Sequence, residues 1–144
     1  AEITPIATAR CEMRLASDRR ERKLEHWHQI AIHACAQCGR NRIPNLHMPA
    51  SLEAWLSSLA SVAGDTTRLM LSPLSGAATL ASLERPEQRI IVVVGPEGGL
   101  TEAEEKMLSA TGFSPVTLGP RILRAETAAC AAVAAVQTLW GDLS

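Results

Sequence analysis

A chain of 144 residues with 47% hydrophobic and 20% charged residues is long enough for one folded domain and too apolar for a disordered segment. Its apolar residues are mostly aliphatic, with three Trp, one Phe and no Tyr, which argues against a module that stacks RNA bases on aromatic side chains. No apolar run is long enough to span a membrane. The net charge of −1 is unevenly distributed: residues 1–48 have a balance of +3 and residues 49–144 a balance of −4, so the first segment either attracts a polyanion or simply carries a solvated helix face.

The first part of the chain is predicted to form short extended segments followed by a long helix. Residues 3–7 and 10–15 have extended character, and a helix begins at Asp18, with Glu21 three residues later as in a capping box. Gly39 ends this helix. Its apolar stripe consists of Leu24, Trp27, Ile30, Ala31, Ala34, Cys35 and Cys38.

A loop that contains Pro44 and Pro49 separates the long helix from a second one. Ser51 is the predicted N-cap of this second helix. Its predicted buried face consists of Leu52, Trp55, Leu56 and Leu59.

Alternating strands and helices in the remaining residues predict an α/β fold. The predicted strands are residues 68–71, 90–94 and 114–118, and the predicted helices are residues 101–110 and 126–140. The strand Ile90–Val94 is a continuous apolar run, typical of a strand buried on both faces of a parallel sheet. Thr101 and Glu104 form a predicted capping box at the start of the first of these helices, and Gly112 ends it.

Two glycine-bearing loops, residues 95–101 and 119–127, each follow a predicted strand and lead into a helix. Open α/β proteins bind ligands where such loops gather, and a third turn-rich loop follows Leu71. The segment Gly95-Pro-Glu-Gly-Gly99 is neither a P-loop nor a dinucleotide fingerprint, and the Glu97 carboxylate in it would repel a polyphosphate. We therefore expect a ligand without phosphates that is contacted through the backbone, with a purely structural turn as the alternative.

Arg121, Arg124 and Glu126 stand at the junction between the second loop and its helix. Arg124 and Glu126 can be explained as a surface ion pair that also compensates the helix dipole. Because both arginines directly follow a glycine turn at a predicted strand end, we favour a functional role for them.

The pair Cys35 and Cys38 suggests zinc binding or redox chemistry, but no second cysteine pair exists at the spacing of a zinc finger. Both cysteines fit the apolar stripe, and the end of a helix disfavours a thiolate, so we expect core thiols. With four scattered cysteines and no visible signal peptide, we expect a cytoplasmic protein. Arg40 and Arg42 either complement the helix dipole or grip RNA phosphate, and composition does not decide between these roles.

Four segments occur in the order of one known family: residues 3–6 with 10–11, then 34–44, 95–99 and 118–128. Together they resemble the RsmE family, the bacterial 16S ribosomal RNA uridine-N3 methyltransferases of the SPOUT class. The resemblance implies a mostly parallel sheet flanked by helices, with a deep trefoil knot in the carboxyl-terminal part. It also implies a homodimer that uses S-adenosyl-L-methionine (AdoMet) and acts on 16S rRNA in the small ribosomal subunit. From the residues themselves we expect a cytoplasmic protein that involves neither a metal nor a membrane.

The resemblance further assigns roles to residues of this chain. The residues implied to bind AdoMet are Leu71, Ser72, Pro73, Gly95, Pro96, Glu97, Gly98, Gly99, Leu118, Gly119, Pro120, Ile122 and Leu123. Our candidate for the proton acceptor is Glu126, and Arg121 or Arg124 would stabilise negative charge on the target base or hold its phosphate. We assign Arg40, Asn41 and Arg42 to RNA binding or to the rim of the active site across the dimer.

The chain also departs from that family. Full members carry an amino-terminal PUA-like domain, and their catalytic domain opens with a strand and a helix that have no counterpart here. We therefore expect residues 1–144 to be an amino-terminally incomplete SPOUT methyltransferase domain. The alternatives are a non-catalytic dimeric RNA-binding module, a SPOUT enzyme that methylates another RNA position, and a small zinc or redox protein.

Overall fold

The computed structural model describes residues 1–11, 17–59, 65–73 and 76–143. The chain divides into two compact units, Ala1–Leu59 and Ala60–Ser144, which are called unit 1 and unit 2 below. Most of the predicted extended segment 10–15 lies outside the described residues.

Unit 1 combines two helices with four strands of two residues each. The strands are β1 (Glu2–Ile3), β2 (Ile6–Ala7), β3 (Asn45–Leu46) and β4 (Ala50–Ser51), and the helices are α1 (Ser17–Gln37) and α2 (Leu52–Leu59). Strand β1 pairs in parallel with β3, and β2 pairs in parallel with β4. The predicted extended segment 3–7 thus corresponds to β1 and β2, whereas β3 and β4 lie in and just after the predicted loop. They form through distant partners, as when Asn45 N donates to Ala1 O at 3.0 Å, and such pairing has no local periodicity.

Helix α1 begins one residue before the predicted start. It ends at Gln37, two residues before Gly39, the glycine predicted to end it. Gly39 has a φ of +72°, and Arg40 N donates to Cys35 O at 2.9 Å, a left-handed turn that satisfies a carbonyl at the helix end. The side chain of Asp18 lies outside the described residues, and the predicted capping box with it.

The buried side of α1 is narrower than the predicted stripe. Cys35 is buried, and three further residues of the stripe are partly buried: Leu24, Trp27 and Ala31. Ile30 and Ala34 are exposed because they lie at the edge of that face, and Cys38 is exposed because it follows the last helical residue. The prediction of core thiols therefore holds for Cys35 and is wrong for Cys38.

Helix α2 matches its prediction closely. Ala54 N donates to Ser51 Oγ at 3.2 Å, so Ser51 is the N-cap. Leu52, Leu56 and Leu59 are buried, and Trp55 is half-buried. The i, i+4, i+7 spacing of these leucines places them on one face of the helix.

Unit 2 is a parallel α/β sheet. Its strands are β5 (Thr66–Leu71), β6 (Ala78–Thr79), β7 (Arg89–Val93) and β8 (Ser114–Thr117), and its helices are α3 (Glu102–Ala110) and α4 (Ala125–Trp140), with a 3₁₀ turn at Leu80–Ser82. The strands lie in the order β6-β8-β5-β7, and every pair is parallel. This confirms the predicted parallel α/β fold, with strand bounds within about two residues of prediction; β6 alone was not predicted.

Helix α4 and the end of α3 lie on opposite faces of this sheet. Leu69, Leu80 and Val116 form a buried cluster, against which α4 packs through Ala135, Val136 and Trp140. Neighbouring strand residues point to opposite faces. Accordingly, Arg68 Nη1 donates at 2.6 Å to Thr111 O, which lies at the C-cap of α3.

The start of α3 carries the predicted capping box. Thr101 N donates to Glu104 Oε2 at 2.8 Å, and Glu104 N donates to Thr101 Oγ1 at 3.3 Å. Gly112, with a φ of +86°, follows the helix end as predicted. These two local signals fix the direction in which the chain leaves the loop after β7.

Candidate functional site

Three loops leave the same edge of the sheet in unit 2. Strand β5 lies between β8 and β7, with Leu71 in register with Val116 and Met70 in register with Val93. Because all three strands are parallel, the loops that follow them gather at the carboxyl edge, where open α/β sheets bind ligands. These are the three loops that the sequence assigned to a ligand.

The loop after β5 begins as a continuation of the sheet. Ser72 N donates to Val116 O at 2.9 Å, and the Ser72 side chain is buried. Leu71, the last residue of the strand, packs against the buried cluster, while Pro73 is exposed. The structure therefore anchors Leu71 and Ser72 and presents Pro73 to solvent.

The loop after β7 turns tightly on its glycines. Gly99 has a φ of +70°, and Gly99 N donates to Pro96 O at 2.8 Å, which closes a turn around the exposed Glu97 and Gly98. A Cβ at Gly95 would stand 3.2 Å from Leu100 Cγ, tighter than an ordinary contact. The glycines thus allow the backbone of this loop to turn tightly. The exposed Glu97 carboxylate faces solvent at the rim of the loop.

The loop after β8 is held by a threonine hydroxyl. Thr117 Oγ1 donates to Gly119 O at 2.9 Å, and Gly119, at a φ of +125°, places its own N–H 3.2 Å from the same hydroxyl. Leu118 packs on the buried cluster and Leu123 is half-buried, whereas Pro120 is exposed and Ile122 is 83% exposed. An isoleucine so exposed at a strand edge is available to an apolar ligand group.

The three candidate catalytic side chains follow at the start of α4. Arg124 is the N-cap residue in an extended conformation, and Arg124 O accepts from Ala128 N at 2.7 Å. Glu126 lies in the first turn, where the helix dipole favours a carboxylate. Arg121, Arg124 and Glu126 are exposed, and none of them forms an ion pair with another described residue. The surface ion pair considered from the sequence is therefore absent from the described part of the chain.

The residues assigned to RNA belong to unit 1. Arg40, Asn41 and Arg42 follow the turn at Gly39, and their side chains are exposed. Their backbone is tied to the end of α1, because Cys35 Sγ lies 3.7 Å from Arg42 O. The structure thus places two cations beside the carbonyl end of a helix, an arrangement that suits dipole compensation and phosphate contact equally.

Unit 1 also contains one groove of about 330 Å³. It is lined by Glu21, Leu24, Glu25, His28 and Leu46. In the described ranges, no three His, Cys, Asp or Glu side chains are arranged to hold a metal ion. No helix there is long and apolar enough to cross a membrane.

Comparison with known proteins gives a consistent result. The sequence pattern of the RNA methyltransferase domain matches residues 1–137. The chain is 36% identical over 144 residues to ribosomal RNA small subunit methyltransferase E of Buchnera aphidicola (subspecies Schizaphis graminum), a match that covers 99% of this chain and 56% of that protein. The protein of the same name from Bacillus subtilis is 33% identical, over 96% of this chain and 57% of its own length.

A solved structure agrees with these relatives. Ribosomal RNA small subunit methyltransferase E from Neisseria gonorrhoeae, crystallised with S-adenosyl methionine, superimposes with a TM-score of 0.87 at 40% identity. The match covers 99% of this chain and 56% of that one. The chain therefore spans just over half the length of the relatives that it matches.

Proposed function

The chain belongs to the RNA methyltransferase domain family, and we propose that it is the catalytic part of an enzyme that transfers a methyl group from AdoMet to N3 of a uridine in 16S ribosomal RNA. The observation that carries this proposal is the gathering of three family loops at one edge of a parallel sheet. Relatives named for methylation of small-subunit ribosomal RNA, one of them crystallised with this cofactor, support it.

We propose that the three loops are parts of a trefoil knot. Leu71 and Ala78 are both in register with Val116, on opposite sides of β8. Strands β5 and β6, which are close together in sequence, thus lie on either side of a strand that comes later in the chain. Parallel neighbours usually need a crossover of a dozen residues or more, so this tight arrangement is unusual and supports a knot.

The residues at the edge fit AdoMet. The loops offer backbone N–H and C=O groups for an adenine, and Ile122 offers an exposed apolar side chain for its face. Glu97 argues against a phosphate-bearing nucleotide and is compatible with a ligand that carries a sulfonium and an amino group. The proposed cofactor contacts are those that the family implies: Leu71–Pro73, Gly95–Gly99, Leu118–Pro120, Ile122 and Leu123.

When bound, AdoMet supplies an electrophilic methyl group, and the chain's own residues do the rest. Most of the rate enhancement then comes from holding the uracil N3 in line with that methyl group. The N3 proton must leave, because a neutral imide nitrogen is a poor nucleophile. Glu126 takes this proton, directly or through a water molecule, and Arg121 or Arg124 stabilises the negative charge that develops on the flanking carbonyl oxygens.

The proposal extends to assembly and substrate. Residues 1–144 form one SPOUT methyltransferase domain that works as a cytoplasmic homodimer on the small ribosomal subunit, with Arg40, Asn41 and Arg42 contacting the RNA. Because N3 of uridine is paired within a duplex, the target must be presented unstacked.

The experiment is mass spectrometry of small-subunit RNA. Subunits from a strain that lacks the gene are incubated with the intact protein and AdoMet, and nucleosides are then analysed. We expect 3-methyluridine at one position. Methylation at another atom or position would replace the uridine-N3 assignment, and AdoMet binding without any methyl transfer would favour a non-catalytic RNA-binding module.

A further inference from the structure

One face of helix α1 carries cationic side chains and side chains that donate hydrogen bonds. It consists of Arg19, Arg22, His26, Gln29 and His33, which we call the basic stripe. At 3.6 residues per turn these side chains fall within about 80° of rotation and extend over roughly 21 Å of helix. All five are exposed.

Two of the three acidic residues of α1, Glu21 and Glu25, lie on another side of the helix. They line the groove with Leu24, His28 and Leu46, about 40–80° outside the nearer edge of the basic stripe, as helical geometry requires. The third, Asp18, stands four positions before Arg22, and its side chain lies outside the described residues. The guanidinium groups of Arg19 and Arg22 form no ion pair with any side chain that the structure describes, a set that excludes Asp18. The basic stripe therefore contains cationic and hydrogen-bonding side chains but neither Glu21 nor Glu25.

Helix α3 shows what an ordinary solvated helix face of this chain looks like. There Lys106 Nζ donates to Glu102 Oε1 at 2.7 Å, an i, i+4 pair of opposite charges on exposed side chains. Such alternation of sign is typical of a face that meets only water. Among the described side chains, no carboxylate lies within the basic stripe, and neither of its arginines is paired in this way.

We propose that the basic stripe of α1 binds the sugar-phosphate backbone of the substrate RNA, an inference that rests on the proposed RNA methyltransferase function. Arginine guanidinium groups, with amide and imidazole N–H groups beside them, match the phosphate oxygens of a nucleic acid. The stripe contains no Phe, Tyr or Trp, and Trp27 is partly buried on another face of the helix. Because contacts to phosphate carry no sequence information, we expect this contact to tolerate any sequence.

The test is the salt dependence of RNA binding by the intact protein. Affinity for a transcribed fragment of small-subunit ribosomal RNA is measured from about 50 to 200 mM KCl for the parent and for Arg19→Gln, Arg22→Gln and Arg20→Gln. Arg20 is the matched control, because it is an exposed arginine on the same turn, about 100° away from Arg19 around the helix. Circular dichroism establishes that each variant is folded.

We expect Arg19→Gln and Arg22→Gln each to reduce the slope of log affinity against log salt by about 0.7, the value for one lost phosphate contact on a single strand, and Arg20→Gln to leave it unchanged. Equal slopes for all four proteins would contradict the proposal that the basic stripe binds RNA. Displacement of the RNA by an equal amount of polyglutamate would also contradict it, because it would indicate an acidic protein partner. Calorimetry with AdoMet on the same samples separates the two proposals. If the protein binds AdoMet but the slopes are equal, only the proposal for the basic stripe is contradicted. If the protein binds no AdoMet, the proposed function is contradicted.

Discussion

The two units of this chain present recognition surfaces of different kinds. In unit 2 the loops at the sheet edge are shaped by glycine turns, a threonine hydroxyl and a capping box, so their backbone is fixed before any ligand arrives. In unit 1 the basic stripe and Arg40–Arg42 present long, exposed side chains on the surface of a helix and just beyond its end. A fixed backbone suits a small ligand whose shape must be matched, whereas mobile charges suit a polyanion whose shape varies.

Glu126 is the proposed proton acceptor next to the loops of unit 2. We expect Glu126→Gln to lower kcat by about 10²–10⁴-fold, because an amide cannot accept the N3 proton. AdoMet affinity should stay unchanged, since the contacts proposed for the cofactor lie elsewhere. Single-turnover methylation of small ribosomal subunits measures the effect.

The matched control for that variant is Glu102→Gln. Glu102 is also an exposed carboxylate in the first turn of a helix of unit 2. It should keep the parent rate. If Glu126→Gln keeps the parent rate as well, Glu126 is not the proton acceptor.

Gly119 tests whether the cofactor is held by backbone shape. At a φ of +125° an alanine is strained by about 1–2 kcal/mol or more, so Gly119→Ala should shift the loop and weaken AdoMet binding about tenfold. Gly112→Ala is the control, because an alanine is also strained at a φ of +86° but this position follows α3, away from the three loops. Calorimetry with AdoMet should show a loss of affinity for the first variant only. Equal affinities would mean that the loop after β8 does not shape the cofactor site.

The salt dependence of binding should distinguish the two proposed sites most directly, and the smallest effect should be on AdoMet affinity. Between about 50 and 200 mM KCl, AdoMet affinity should change less than about twofold, because backbone groups carry no net charge. Over the same range, two phosphate contacts from the basic stripe should account for about a sevenfold loss of RNA affinity. A steep salt dependence of AdoMet binding would show that charged side chains, and not the loop backbone, hold the cofactor.

Local signals in the sequence were sufficient for several features of the fold. The N-cap Ser51, the capping box of Thr101 and Glu104, and the turn at Gly39 all involve residues within five positions of one another, and the structure has each of them. The apolar runs likewise located the strands on which the glycine loops depend.

Features built from distant partners were not predicted from periodicity. Strands β3, β4 and β6 have two residues each, too few for a pattern, and exist because another strand lies beside them. The position of β8 between β5 and β6 belongs to the same class, and only the family resemblance suggested a knot there. The basic stripe was visible in the sequence as uneven charge, but its separation from Glu21 and Glu25 required the helix.

The place of β8 in the sheet determines when, during synthesis, the sheet and the ligand edge of unit 2 can form. Among the described strands, β6 pairs only with β8, which is made some 35 residues later, so β6 has no ladder until Ser114–Thr117 emerge. The loop after β8 completes the ligand edge at the same moment. A nascent or truncated chain that stops before Ser114 therefore lacks both the sheet order and the proposed cofactor site, and we expect AdoMet binding to be acquired in one late step.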